Sequence, residues 1–257
     1  MSQDLNTPFI TEIITEKVAT LSFYSPASNS FPSTQLARLT EMIDTLSKNT
    51  TITTIILKSE GTGAYCAGAS FDELLSIKDT TTGQAFFSGF ANVINAMRKS
   101  PKIFIGRIHG KAVGGGVGLA AACDYCFATS NAAIKLSELA IGIGPFVIEP
   151  AVSRKIGKTA FTNMSLNAHE WKTANWAQIH GLYDEVYDTV DRMDLEISTF
   201  AAKISAYNPE ALYEMKKIFW EGTNHWSELL LDRAKISGKL VLSEFTVNAL
   251  NQFKNKK

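Results

Sequence analysis

The sequence predicts an α/β fold that ends in a helical C-terminal region, and three observations predict it. Short β-branched strands alternate with helices through the first two-thirds of the chain, the pattern of a mainly parallel sheet with helical crossovers. Two of those strands, at 51–58 and 102–108, each run into a glycine-rich turn that opens a helix. Beyond Gly157 the strands nearly stop and helical segments follow one another.

In chain order, residues 9–14 and 17–23 alternate apolar and polar side chains and predict a hairpin. Pro26, Asn29, Ser30 and Pro32 form a loop, and Ser33 or Thr34 caps a helix over 35–47. Leu36, Leu39, Ile43 and Leu46 share one face of that helix. The strand TITTIILK ends in SEGTGAYCAGASF before a short helical segment at 72–77. DTTTG at 79–83 reads as a loop. An amphipathic helix follows at 84–99, with Phe86, Phe87, Phe90 and Ile94 on one face as core or as the wall of a pocket. KIFIGRI at 102–108 is a buried strand. Gly114, Gly115 and Gly116 make the second turn, and VGLAAAC at 117–123 is a helix of small residues. A further strand follows it. The stretch IKLSELAIGI at 134–143 carries a lone carboxylate, Glu138; Pro145 then breaks the chain and a helix begins near Val147. Helices are expected at 159–166, 169–180, 192–205, 210–220, 225–237 and 245–254, interrupted by an extended piece at 182–187.

The chemistry lies in the turns. A strand that feeds a glycine turn at a helix start leaves unpaired N–H groups and a positive dipole end there. Such an end stabilises an oxyanion or a phosphate. The glycines are not spaced GxGxxG and no acidic ribose-binding position follows, so a dinucleotide site is not expected. Two such turns offer two amide donors to one carbonyl oxygen. Glu138 has no arginine or histidine beside it in sequence; desolvated there, it gains a raised pKa suited to proton transfer near neutral pH. A solvated glutamate at a strand end is the alternative. Glu149, in FVIEP, is the nearest candidate for a second acid, or it merely complements the dipole of a helix start. His109 reads as a packed loop histidine and Asp124 as a tie on the C-terminal turn of the glycine helix. Asp72 and Glu73 read as dipole partners of a helix start, and Arg154 and Lys155 as a solvated face or as cations for an anionic group.

Composition narrows the rest. The chain has 257 residues, 45% hydrophobic and 19% charged, an ordinary globular balance. Its 25 basic and 25 acidic side chains cancel, so nothing favours nucleic acid or an anionic membrane. Cys66, Cys123 and Cys126 read as core thiols, and no metal site is expected. No segment is apolar over the length needed to span a bilayer, and the first residues lack the basic and apolar regions of a secretory signal. A cytoplasmic location is expected.

CAGAS at 66–70, HGKAVGGGVGLAAACD at 109–124 and LSELAIGIGP at 136–145 resemble the enoyl-CoA hydratase/isomerase (crotonase) superfamily. Length, order and spacing extend the resemblance over essentially the whole chain. It implies a crotonase-like spiral of ββα units over 1–195 that holds the active site. It also implies a helical region over 196–257 that builds homotrimers, often paired into hexamers, and contacts coenzyme A. The thioester carbonyl would sit between the amides of Ala69 and Gly115. Ala67, Gly68, Gly116, Gly118 and Pro145 would fall in the substrate or coenzyme A site, and Phe253 toward the nucleotide end. No cofactor is implied beyond the coenzyme A of the substrate. Of the family's two usual glutamates, the second matches Glu138 and the first falls on Gly118, as in a branch that includes bacterial methylglutaconyl-CoA hydratases. Ser70 and Phe71 depart from the Asp and apolar residue that many relatives carry there, which leaves the lining of the adjacent channel open. The resemblance implies an enoyl-CoA hydratase working with Glu138. A 3-to-2 enoyl-CoA isomerase with the same sole base is the alternative, and a catalytically idle acyl-CoA-binding protein a third reading. Thioester hydrolysis or decarboxylation on the same amides is a further enzymatic option.

Overall fold

The computed structural model describes residues 6–254, with the side chains of residues 253 and 254 outside the description. Strands β1 (Phe9–Thr15) and β2 (Val18–Tyr24) form the expected hairpin, in register from Phe9 opposite Tyr24 to Thr15 opposite Val18. From β2 the sheet is parallel, through β3 (Thr54–Ser59), β4 (Ile103–Ile108), β6 (Tyr125–Thr129) and β8 (Glu185–Tyr187), in the order β1-β2-β3-β4-β6-β8. The extended piece expected at 182–187 is therefore a sheet strand, paired with β6. A second ladder joins β5 (Ala112–Val113) to β7 (Ile134–Lys135), also parallel.

Helices cover both faces. Helix α1 (Ser33–Lys48) buries Leu36, Leu39, Ile43 and Leu46 against Leu21, Phe23, Ile55 and Leu57 of the sheet in the main core. Each such side chain removed from water contributes about 1.5–3 kcal/mol before entropy is counted. On the opposite face Ile105 and Phe127 meet Met193, Ile197 and Ala201 of α7 (Val190–Ser205). Residue 195 thus falls inside a helix that packs on the sheet. Helix α3 (Thr80–Lys99) crosses α9 (Trp226–Leu240) so closely that a Cβ on Gly83 would stand 2.7 Å from the Gly238 carbonyl oxygen. Between α7 and α9 lies α8 (Pro209–Phe219), and α10 (Glu244–Lys254) ends the described chain.

Several local expectations change. Residues 79–83 are not a loop. The Asp79 carboxylate accepts the Thr82 N–H at 2.8 Å and caps α3, which starts at Thr80. Neither Ser33 nor Thr34 caps α1. Pro32 stands at the cap, and the Ser33 N–H and hydroxyl donate to the Glu73 carboxylate, tying α1 to α2 (Phe71–Ser76). The helix expected at 169–180 shrinks to α6 (Ala174–Ile179), because Lys172 bridges Ile134 through two backbone hydrogen bonds, at 2.8 and 2.9 Å. The separate segment at 159–166 belongs to α5 (Glu149–Leu166), broken at Gly157 with φ of 77°. Asp124 does more than finish the glycine helix α4 (Gly115–Ala122). Its buried carboxylate accepts the Phe104 N–H, the Lys216 ammonium and the Trp220 indole N–H, fastening α8 to β4. Among the described residues no helix is long and apolar enough to cross a membrane.

Candidate active site

The two glycine turns meet. Leaving β3, residues 66–70 run beside the start of β5. Val113 N–H donates to the Cys66 carbonyl at 2.9 Å, and Cys66 bridges Ala112. Gly68 has φ of +89°, and a Cβ there would lie 3.1 Å from the Val113 carbonyl oxygen and 3.6 Å from the Gly115 nitrogen. Only glycine combines that backbone angle with so close an approach. On the far side of this turn Phe31 N–H donates to the Gly68 carbonyl and Ser70 N–H to the Phe31 carbonyl, both at 2.8 Å; the Ala69 N–H takes no part in that bridge. The Gly115 N–H is the first of α4 and so has no intrahelical acceptor.

Ala69 and Gly115 both line a cavity of about 170 Å³. Its walls come from the two turns, from Phe71 and Leu74 of α2, from Phe86, Phe87 and Phe90 of α3 and from the stretch 137–148. The start of α4 borders it at Gly115, and the glycines at 114, 115, 116 and 118 leave room for groups from elsewhere to rest on this helix start. A Cβ on Gly114, where φ is +53°, would stand 2.7 Å from Glu138 Oε1. One on Gly115 would strike the Phe90 ring at 2.4 Å, and one on Gly118 would strike Ile148 Cγ2 at the same distance.

Glu138 opens a single 3-10 turn, Glu138–Ile141, closed by Gly142 at φ 80° and packed under Phe245 and Thr246 of α10. The residue as a whole is half-buried, yet Oε2 is out of contact with solvent and has no hydrogen-bond partner. Burial pushes its pKa from 4.5 up to about 7, its own main-chain N–H offsetting part of the rise. Among the described residues it is the one ionisable group on the cavity wall. An apolar site with one carboxyl near neutrality and two amide-bearing turns can polarise a carbonyl and move a proton beside it.

Of the residues singled out in the sequence, Ala67, Gly68, Ala69, Gly115, Glu138 and Pro145 line this one cavity. Gly116 and Gly118 stand behind the wall, where they let Cys66 and Ile148 pack against α4. Phe253 lies in α10 with its side chain outside the described residues. Phe86, Phe87 and Phe90 are wall residues, and Ile94 is core. Glu149 stands in the first turn of α5, the second of its two expected places, and is buried away from the cavity wall, held by Arg233, Lys158 and the Ser153 hydroxyl. Arg154 stacks on Trp220, its guanidinium carbon 3.9 Å from the ring centroid, and Lys155 donates to the Asp124 carbonyl; neither reaches the cavity. His109 is buried beside Arg107, and burial first, then that guanidinium, lowers its pKa to about 4, so it stays neutral. All three cysteines are buried and free. Ile148, Phe146 and Ser237 are wall residues that sequence reasoning missed. For Ser237 the signal was the small Ser-Gly pair on α9, which marks close packing against α3.

The family model described as enoyl-CoA hydratase/isomerase matches residues 14–236. The chain belongs to that family. A Bacillus subtilis relative named as an enoyl-CoA hydratase/isomerase is 30% identical over 210 residues, 78% of this chain and 77% of its own. The short-chain-enoyl-CoA hydratase of Clostridium acetobutylicum is 27% identical over 208 residues, 80% of this chain and 78% of that one. The human mitochondrial methylglutaconyl-CoA hydratase is 36% identical over 117 residues, which is 46% of this chain but 34% of its own length. The crystal structure of an enoyl-CoA hydratase from Bacillus halodurans superposes with a TM-score of 0.88 over 95% of this chain and 99% of that one. At 20% identity that likeness is one of fold.

Proposed function

We propose that this member of the enoyl-CoA hydratase/isomerase family stabilises a thioester enolate with the Ala69 and Gly115 amides and moves protons with Glu138. The observation that carries the proposal is Glu138 itself, a carboxyl near neutrality on an otherwise non-ionisable wall beside both turns. Coenzyme A enters as part of the substrate.

The first reaction is hydration of a 2-enoyl thioester, supported by the names of the relatives. Ionised Glu138 takes a proton from water as its oxygen bonds to C3; the C2–C3 π pair moves toward the carbonyl, and the negative charge gathers on the oxygen between the amides. Protonated Glu138 then returns the proton to C2, so the elements of water are added and nothing else changes. A second reading is favoured by one observation. Ile148, not a second carboxylate, covers the Gly118 position. With a single base the simplest reaction is a 3-to-2 double-bond shift. Glu138 removes a C2 proton, the electron pair spreads through the enolate, and the proton returns at C4 as the C2–C3 double bond forms.

Both readings need ionised Glu138 in the free enzyme, so kcat/KM rises with pH through about 7. The test incubates the protein with crotonyl-, 3-hexenoyl- and 3-methylglutaconyl-CoA and follows product mass. A gain of one water reports hydration; unchanged mass with new conjugation reports isomerisation. Binding without either product on all three identifies an idle acyl-CoA binder and ends the proposal. Among the described residues no cation lines the cavity, so the methylglutaconyl thioester, which carries a distal carboxylate, is expected to be the poorest substrate of the three. A homotrimer or hexamer is part of the proposal, supported by the exposed Tyr213, Met215, Ile218 and Phe219 on α8. Sedimentation at micromolar concentration tests it.

A further inference from the structure

Gly114, the cap residue of α4 with φ of +53°, and Gly118, four residues on and inside the helix, each cradle a side chain that arrives from another segment. The occupants are Glu138, against the cap, and Ile148, against the first turns of the helix. They differ in chemistry as far as two side chains can. Glu138 exchanges a proton; Ile148, 3% exposed, offers none and displaces water from the same wall.

We infer that Ile148 is a specificity-determining residue, which keeps the Gly118 side of the cavity dry and leaves Glu138 as the only route for protons to and from the bound acyl chain. The inference rests on the enolate reading above. Ile148 is well placed for this because its backbone is held. It is the cap residue of α5, and the next residue, Glu149, is clamped by Lys158 and Arg233. Arg233 also donates to the Phe146 carbonyl. The buried Glu149 carboxylate and the cations that hold it therefore help to fix the apolar side chain beside it.

A dry wall with one base has a consequence for atoms. In the double-bond shift, the proton leaving C2 for Glu138 meets little water to exchange with before it returns at C4, so the product keeps the substrate's own hydrogen. Water admitted at Ile148 washes that hydrogen out and, once the 2-enoyl thioester has formed, adds its oxygen to C3 and a proton to C2.

The experiment runs 3-hexenoyl-CoA in deuterium oxide with the wild type, Ile148→Ala and Ile148→Leu, reading deuterium content and the ratio of hydrated to isomerised product. A parallel 13C NMR titration of the substrate-free proteins follows the Glu138 carboxyl. Wild type and Ile148→Leu are expected to retain protium and to titrate near 7. Ile148→Ala is expected to take up deuterium, to raise the hydration-to-isomerisation ratio about tenfold, and to titrate lower as burial, the main cause of the raised pKa, is relieved. A folded Ile148→Ala protein whose Glu138 still titrates near 7, or whose product keeps wild-type deuterium content, overturns the inference. Should the wild type convert none of the thioesters, it is the enolate reading that has failed, and the titration still decides the case of Ile148.

Discussion

Glu138 and Glu149 stand on one short stretch of chain, both taken out of water, and they behave as opposites. Burial alone would raise the pKa of Glu149, but hydrogen bonds from Lys158 and Ser153 and the charges of Lys158 and Arg233 hold it below the ordinary value. Glu138 has burial without a cation, and its pKa goes up to about 7. Desolvation is common to both. What separates an acid–base group from a structural ion here is the company it keeps.

The largest test of that contrast is Glu138→Gln. If Glu138 carries the proton as proposed, its loss lowers turnover about a thousandfold, with thioester binding retained, as calorimetry on a non-reactive acyl-CoA would show. The same substitution should change stability in the other direction. A native pKa above the unfolded one means that the folded state holds the extra proton between pH 4.5 and about 7, so this group's contribution is fully present below 4.5 and is lost as pH rises through 7. The loss amounts to about 3 kcal/mol. Urea midpoints of the wild type should therefore decline across that window, and those of Glu138→Gln should not. Parallel curves for the two proteins would deny the burial of this carboxyl.

Glu149→Gln is the converse test. It leaves Arg233 and Lys158 without their carboxylate and should cost about 2 kcal/mol at neutral pH. Its pH signature is reversed: with a native pKa below the unfolded one, the stabilisation is present above 4.5 and disappears as pH falls below it. Glu138 should still titrate near 7 in this variant. An unchanged urea midpoint at pH 7 would mean that the clamp contributes nothing.

Much of this contrast was legible in the residues. Strand periodicity and the two glycine turns placed the sheet and the amide-bearing loops, and the apolar surroundings of Glu138 foretold its raised pKa. The partners of Glu149 were not legible, because Arg233 lies 84 positions away on α9, and no local pattern reports a long-range ion pair. Ile148 was hidden for a related reason. A glycine at 118 shows that something approaches the helix there but not what, and only the tertiary path after Pro145 names the occupant. Asp124 looked local because it follows α4 directly, whereas its partners Lys216 and Trp220 come from the far end of the chain. The cap at Asp79 left a weak signal, since Asp is a favoured cap residue, but the polar run DTTTG reads equally as a loop.

The smallest effect sharpens the comparison most. Lys158 and Arg233 both hold Glu149, but the Lys158 side chain is 71% exposed and that of Arg233 is 28% exposed. An exposed ammonium loses most of its attraction to solvent screening and must order a long side chain to make the contact, so Lys158→Ala should cost only about 0.5 kcal/mol. Arg233 is less wet and also donates to the Phe146 carbonyl, so its removal frees a wall segment as well as a charge. Arg233→Ala should therefore cost more than Lys158→Ala, and it should lower the Glu138 titration midpoint by letting water past the loosened Ile148. Urea midpoints and the carboxyl titration of the two variants decide it. Equal costs and an unmoved midpoint in both would show that Glu149 is held by charge alone and that the wall in front stands without it.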